Sequence, residues 1–354
     1  MELQIIKSTN LKQKPDFSKL VFGKSLSDYM FTMDYDPEKG GWYNAKIEPY
    51  ANFTLDPSTH CLHYGQEIFE GAKAFKNDKG EVLMFRFIDN LHRMNKSAER
   101  MCMPQFDVDF VLKAHHELIR LEKDWIPTTP GASLYIRPTM MATAPQLGVK
   151  HGTLYRFFTI LSPVGPYFGE KITTIDLLVE DQYSRCAMGG TGEAKCAGNY
   201  AAGMLAADLA AKRGFAQVLW LDAAQKKYVE EAGVMNIFFV IGDEIVTPSL
   251  TGTILRGITR DSIIKLMSHL GYKVKECMIT IDELVDECKK GNLKECFACG
   301  TAAVVSPIGR LHYKGFDMIL NNKEPGQIAL TVLENLVGVQ KELKPDPFGW
   351  VVKI

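Results

Sequence analysis

In the first half of the chain the hydrophobic pattern opens with a short apolar run, Val82 to Arg86, that predicts a strand. Leu91, Met94, Ala98 and Met101 then recur at the spacing of one helical face, with Asp89 placed to cap that helix. A second helix is expected from about Asp107 to Trp125. Two β-rich runs of strand length follow, Ser133 to Met141 and Tyr155 to Val164. This half reads as a sheet with helices against it. Pro163-Val-Gly-Pro-Tyr-Phe-Gly169 gathers proline and glycine between periodic regions, as a linker does. The expected organisation is a smaller N-terminal domain over residues 1–163, a linker loop over 164–172 and a larger domain over 173–354.

In the second half Ile172 to Glu180 predicts a strand, followed by the loop GGTGEAKCAGNY, Gly189 to Tyr200. The alanine-rich stretch from Tyr200 to Arg213 predicts a helix that stops at Gly214. Val218 to Leu221 is a further strand, and Ile237 to Val246 reads as a hairpin turning at Gly242-Asp243. A helix is expected from Asp261 to about Leu270. Alternating elements then lead to a last helix from about Gln327 to Lys341. No internal repeat or low-complexity segment interrupts this order.

Composition narrows the function. A chain of 354 residues with 46% apolar and 23% charged residues is an ordinary globular composition, long enough for two cores. A formal net charge of -1 provides no broad basic field for nucleic acid or anionic lipid, which favours small-molecule chemistry. The N-terminal segment has no apolar core of signal-peptide length, and no stretch approaches the length of a membrane span, so a cytoplasmic protein is expected. Eight cysteines without an export signal argue for reduced thiols. Cys296-Phe-Ala-Cys299 is a lone CxxC without a second pair or a histidine pair, and reads as two thiols in a strand or turn. His116-Glu117-Leu118-Ile119-Arg120 nearly meets a zinc-protease motif, but Arg120 stands where the second histidine is required; no metal site is expected.

The candidate chemistry lies in the glycine-rich loop. Lys195 is its only cation, set among small residues that let another group approach the main chain. A lysine amine held there and partly desolvated is suited to condense with an aldehyde cofactor. Gly257-Ile258-Thr259-Arg260-Asp261 offers a glycine turn into a helix, hence N–H groups and a hydroxyl for a phosphate, although a capped helix start needs the same residues. Gly300-Thr301-Ala302 is a second small-residue turn able to face an anion. Pyridoxal 5'-phosphate (PLP) would satisfy both halves, and Glu231 is a candidate partner for its pyridine nitrogen.

Seven separated motifs, LHYGQEIFEGAKAF, LYIRPTM, PVGPYF, GGTGEAKCAGNYAA, VMNIFF, RGITRD and CGTAAVVSP, occur in the order and spacing of the branched-chain amino acid aminotransferases, in their longer form. The chain resembles this family from Val21-Phe-Gly23 onward. The resemblance implies a fold type IV PLP enzyme, with a smaller α+β N-terminal domain and a larger C-terminal α/β pseudo-barrel that anchors PLP. It implies a homodimer moving an amino group between leucine, isoleucine or valine and 2-oxoglutarate. Lys195 matches the lysine that joins PLP and moves the substrate α-proton. Glu231 matches the pyridine-nitrogen partner, Tyr200 the partner of the phenolic oxygen, and Leu255 the residue against the ring face. Arg93, Ile258, Thr259 and Thr301 match the phosphate cup. Phe22, Tyr64, Phe69, Tyr135, Tyr167 and Ala302 match the aliphatic side-chain pocket. The Thr301 and Ala302 N–H groups match those facing the α-carboxylate, Arg137 the residue on the distal carboxylate of glutamate, and Val149 one lent to the neighbouring subunit. Where some long-form enzymes carry a redox CxxC after Gly-Thr-Ala, this chain has Ala303 and Ser306. The rival expectations are a D-amino acid aminotransferase or aminodeoxychorismate lyase of the same fold type, disfavoured by LYIRP and RGITRD, and a phosphate-binding or thiol-redox module without a covalent cofactor.

Overall fold

The computed structural model describes residues 1–166 and 171–354. The chain forms two compact units. One comprises Met1–Tyr167, Ala194–Ala197 and Val339–Ile354; the other comprises Phe168–Glu193 and Gly198–Gly338. Each is built on its own sheet.

In the first unit the sheet runs in the order Gln4–Ile5, Gly41–Pro49, Tyr29–Asp36, Tyr155–Val164, Ser133–Ala142, Ala72–Lys76, Val82–Phe85 and Val351–Lys353, with Glu67–Phe69 also paired to Ser133–Ala142. Apart from the short parallel pairing of Gln4–Ile5, its ladders are antiparallel. Ser133–Ala142 and Tyr155–Val164 pair over their whole length, from Ser133 opposite Val164 to Ala142 opposite Tyr155. The helix predicted around Leu91 spans Phe87–Arg100 and buries Leu91, Met94 and Ala98 in the core. It begins two residues before Asp89. Arg86, in the left-handed region, is its N-cap, while Asp89 sits in the first turn and pairs with Arg86 at 2.6 Å. The next helix spans Val108–Leu121, capped by the Asp107 carboxylate, which accepts from the N–H groups of Asp109 and Phe110. A 3₁₀ turn, Lys123–Trp125, completes the predicted segment.

In the second unit the order is Val229–Ala232, Gln217–Leu221, Ile175–Glu180, Val304–Tyr313, Leu293–Gly300, Asn236–Ile241, Glu244–Pro248 and Lys273–Cys277, with Phe316–Ile319 against Val304–Tyr313. This sheet mixes parallel and antiparallel ladders. The strand expected from Ile172 begins at Ile175. The alanine-rich helix begins at Ala197, before Tyr200, and ends at Lys212 ahead of Gly214, whose φ of +81° suits a helix stop. The helix expected from Asp261 begins at Ile258, so Ile258 and Thr259 lie within its first turn. The last helix spans Gln327–Gln340. Of the linker expected over 164–172, residues 167–170 lie outside the described residues, and Val164 ends a strand. No helix among the described residues is long and apolar enough to cross a membrane.

Cys296 and Cys299 both lie on the strand Leu293–Gly300, buried to 2% and 1% exposure. A separation of three residues turns their side chains to opposite faces of the sheet. Burial pushes both thiols well above the ordinary cysteine range. Mild oxidant should therefore leave no Cys296–Cys299 disulfide in the folded protein, which peptide mass mapping under non-reducing conditions will check.

Glu122 is a strongly perturbed carboxyl that bears on the stability of the first unit. It accepts from the Tyr29 N–H next to Asp28, which in turn receives the Trp125 indole N–H at 2.7 Å. Desolvation pushes Glu122 up from 4.5 to about 7, the Tyr29 N–H and Ser27 pulling back. The folded state thus retains a proton between these values that the unfolded state has lost, so this group's contribution to stability falls as pH rises through that window. Glu122→Gln, which keeps an acceptor for Tyr29, should stabilise the protein at pH 8 by on the order of 1–3 kcal/mol and have little effect at pH 4, measured by urea unfolding.

Candidate active site

The proposed site residues fall into two groups, one in each unit. In the first unit, Lys195 is carried by the short segment Ala194–Ala197, which lies along the strand Glu67–Phe69. The Phe69 N–H donates to the Lys195 carbonyl at 3.0 Å, and Ile68 pairs with Cys196. The Lys195 N–H donates to Ser97 Oγ at 2.9 Å. Backbone bonds on both sides of the lysine thereby fix where its side chain starts. Its Nζ lies 4.9 Å from the centre of the Phe69 ring. Desolvation, the nearby Arg93 and, more weakly, Arg137 push the ammonium down to about 8, with Glu70 and Tyr135 opposing. An amine in this range is available unprotonated near neutrality, as nucleophilic and proton-transfer chemistry requires.

Arg93 projects from the helix Phe87–Arg100 into a two-point ion pair with Glu70, Nε to Oε1 at 2.7 Å and Nη2 to Oε2 at 2.8 Å. Glu70 is fully buried and also accepts from Asn90 Nδ2 and the Gly71 N–H. Burial alone would raise its pKa; Arg93, with Lys195 and Asn90, carries it below the usual carboxylate range. Glu70 holds the guanidinium predicted to meet the phosphate, and the residue-type reading did not single it out. The signal was present: one acid in the apolar stretch Ile68-Phe-Glu-Gly-Ala72.

Tyr135 and Arg137 lie two apart on the strand Ser133–Ala142 and so share a face. Arg137 Nη2 donates to Tyr135 Oη at 3.1 Å, and its guanidinium lies 4.7 Å from the Phe69 ring centre. Arg137 makes no salt bridge among the described residues, and its buried Nε has no hydrogen-bond partner among them. Phe22 stands edge-on to Tyr135 at 5.0 Å. Tyr64 ends the short helix His60–Tyr64 and donates to the Leu147 carbonyl. Val149 is 88% exposed. Tyr167 lies outside the described residues. Lys195, Arg93, Phe69, Tyr135, Arg137 and Phe22 are thus linked in one cluster, while Val149 is on the surface.

In the second unit Glu231, 3% exposed on the strand Val229–Ala232, pairs with Arg185 Nε at 2.8 Å and accepts from Asn236 Nδ2 at 2.9 Å and the Leu255 N–H at 3.2 Å. Burial would lower the Arg185 pKa, but Glu231 and other acidic neighbours hold it above its ordinary value. Two residues that the residue-type reading missed therefore position Glu231. Asn236 begins an otherwise apolar strand, which was a legible signal; Arg185 sits in a segment without pattern. Asn236 also donates to the Leu255 carbonyl.

The helix Ile258–His269 starts close by with Gly257 as an N-cap that makes no side-chain hydrogen bond. An ideal Cβ at Gly257 would lie 2.0 Å from Asn236 Oδ1, so only glycine fits. Gly192 in the lysine loop is held likewise, its missing Cβ 2.3 Å from Cys186 Sγ and 2.4 Å from the Thr253 carbonyl. Tyr200 lies in the first turn and a half of the helix Ala197–Lys212. Thr301 and Ala302 form a turn that ends at Val304, held at φ +62°, a conformation costly for a β-branched residue.

These residues fit PLP on their own chemistry. A desolvated lysine suits the aldehyde, a buried carboxylate fixed by an arginine and an amide suits a protonated ring nitrogen, and an uncapped helix start suits a phosphate. Among the described residues no group of three or more histidine, cysteine, aspartate or glutamate side chains could hold a metal ion.

Comparison with known proteins agrees with that chemistry. The family model described as amino-transferase class IV matches residues 67–311. The chain is 48% identical over 349 residues to the branched-chain-amino-acid transaminase 1 of Bacillus subtilis (strain 168), covering 98% of both chains. It is 47% identical to the branched-chain-amino-acid aminotransferase 2 of the same organism, covering 97% of this chain and 94% of that one. Among solved structures, the branched-chain aminotransferase of the thermophilic archaeon Thermoproteus uzoniensis, crystallised with norvaline, is similar, with a TM-score of 0.75 and 25% identity, over 92% of this chain and 99% of that one. A full-length likeness at nearly half identity, with the family model matching most of the chain, shows that the chain belongs to the class IV aminotransferases, within the branched-chain amino acid aminotransferases of fold type IV.

Proposed function

We infer that the protein is a PLP-dependent transaminase that moves the amino group reversibly between L-leucine, L-isoleucine or L-valine and 2-oxoglutarate, giving the branched 2-oxo acid and L-glutamate. The observation that carries this reading is the Lys195 amine, desolvated and lowered to about 8 beside Arg137, whose buried Nε has no partner among the described residues. PLP, when bound, supplies an aldehyde that takes up the amino group and a ring that draws electron density from the substrate α-carbon.

Lys195 Nζ is the amine that would hold the cofactor through its aldehyde. Once freed by the incoming amino acid, the same amine would serve as the base that moves the substrate α-proton. Glu231, paired with Arg185 and bonded by Asn236, would meet the ring nitrogen. Tyr200 would meet the phenolic oxygen and Leu255 the ring. Arg93, steadied by Glu70, holds the phosphate with Ile258, Thr259 and Thr301. Phe22, Tyr64, Phe69, Tyr135, Tyr167 and Ala302 receive the aliphatic side chain, the Thr301 and Ala302 N–H groups receive the α-carboxylate, and Arg137 receives the distal carboxylate of glutamate. The protein works as a cytoplasmic homodimer in which exposed Val149 reaches the neighbouring subunit's pocket.

Borohydride reduction of the PLP-loaded enzyme should place the pyridoxyl label on Lys195 by peptide mapping. Lys195→Ala should lose turnover by several orders of magnitude with its melting temperature in the cofactor-free state little changed; a label on another lysine contradicts the assignment.

Arg137 faces two demands, an aliphatic side chain and a carboxylate in one pocket. Loss of hydrogen bonds to a charged group costs roughly 1.5–3 kcal/mol, so Arg137→Met should lower kcat/KM for glutamate and 2-oxoglutarate about ten- to hundred-fold. The leucine half-reaction should change much less. Single-turnover kinetics with each substrate separates this from a merely structural arginine, which would weaken both alike.

A further inference from the structure

Beside the strand Val229–Ala232 lies a cavity of about 430 Å³, within the range that binds small molecules. Its lining includes no residue assigned above to PLP or substrate. Met188, Pro248, Ile254 and Met278 give it an apolar wall, and among the described residues Asp222 and Glu230 are its only carboxylates and no lysine, arginine or histidine lines it. Asp222 is spent on backbone: Oδ1 accepts the Lys227 and Tyr228 N–H groups and Oδ2 that of Gln225. Glu230 is different. It is 4% exposed, Oε1 accepts from the Thr253 hydroxyl at 2.6 Å, and Oε2 is buried with no hydrogen-bond partner among the described residues.

A buried carboxylate with half its acceptor capacity unused is costly unless a positive or hydrogen-bond-donating group meets it. Two carboxylates without a basic residue disfavour an anionic ligand. A bare metal ion would need several oxygen ligands, and the methionine, isoleucine and proline side chains supply none. An organic cation with a small aliphatic body matches both the acid and the apolar wall.

The cavity also adjoins the ion pair proposed to serve the pyridine nitrogen. By strand alternation Glu230 and Glu231 face opposite sides of the sheet. Thr253 connects them: its hydroxyl donates to Glu230, and its carbonyl accepts from Arg185 Nη2 and from Cys186 Sγ at 3.1 Å. Arg185 Nε in turn pairs with Glu231 at 2.8 Å.

We propose that this cavity binds a small organic cation, a substituted ammonium with a short aliphatic body, seated on Glu230 and acting on the Arg185–Glu231 pair through Thr253. The coupling half rests on the role given to Glu231 above; the binding half does not.

The test uses the PLP-loaded enzyme and N,N-dimethylisobutylammonium, a tertiary ammonium that does not condense with an aldehyde as a primary amine does. Calorimetry should show saturable binding of one cation per chain, weakened about tenfold or more by Glu230→Gln, which retains an acceptor for Thr253, and by Ala223→Phe, which fills the cavity from its rim. The neutral ether isobutyl methyl ether, smaller by one methyl group, should bind at least tenfold more weakly than the cation. Absence of saturable binding at millimolar cation, or equal affinity in wild type and Glu230→Gln, overturns the site. Competition with leucine at an affinity that Glu230→Gln leaves unchanged also overturns it, by assigning the cation to the substrate pocket. Saturating cation should change kcat for leucine in wild type and not in Ala223→Phe; binding without any change in kcat overturns the coupling.

Discussion

The first unit sets two cationic side chains, Lys195 and Arg93, against one fully buried carboxylate, Glu70, with Arg137 also acting on the lysine. Placed together without a counter-charge, they would repel and destabilise the fold. Glu70 takes Arg93 in a two-point pair and opposes the loss of charge on Lys195, while burial first, then Arg93 and Arg137, pull the amine down. The balance leaves the lysine near 8 instead of far below or at its ordinary value. Replacing Glu70 would leave the arginine buried and uncompensated, which is worse than a site lacking both. The reactivity of one amine thus depends on an ion pair that need not touch substrate.

A parallel arrangement holds in the second unit with the signs exchanged. There a carboxylate, Glu231, is buried, and Arg185 pairs with one of its oxygens while Asn236 and the Leu255 N–H fill the other. Asn236 bonds to Glu231 and to the Leu255 carbonyl, and Gly257 leaves it room. Strand, loop and helix start are thereby brought to one point. The Val304 backbone at positive φ stores strain beside the Thr301–Ala302 turn, and the paired strands on either side hold it there.

Much of the architecture was legible locally. The apolar periodicity of Leu91, Met94 and Ala98 is satisfied by a single helix face, and the runs Ser133–Ala142 and Tyr155–Val164 could be strands because their length and β-branched content suit nothing longer. Helix starts were read less well. Asp89 looks like a cap by residue type, but the chain enters the left-handed region at Arg86 and begins the helix there; Ile258 follows Gly257 directly because that glycine's extended backbone ends the preceding turn. Capping preference is a weak energy beside the backbone path imposed by neighbouring strands.

The sequence alone determined the identities of the chemistry: a single cation in a small-residue loop, a glycine before a helix and seven ordered motifs that mark the family. Those features depend on residue type and spacing along the chain. Tertiary structure decided which groups hold them. Glu70 meets Arg93 across 23 positions, and Arg185 meets Glu231 across 46, separations at which no periodicity carries information. It also decided that Cys296 and Cys299 are buried neighbours facing opposite ways and that burial pushes the Lys195 amine down to about 8. Burial and charge proximity set those properties, and both are created only when distant segments pack together.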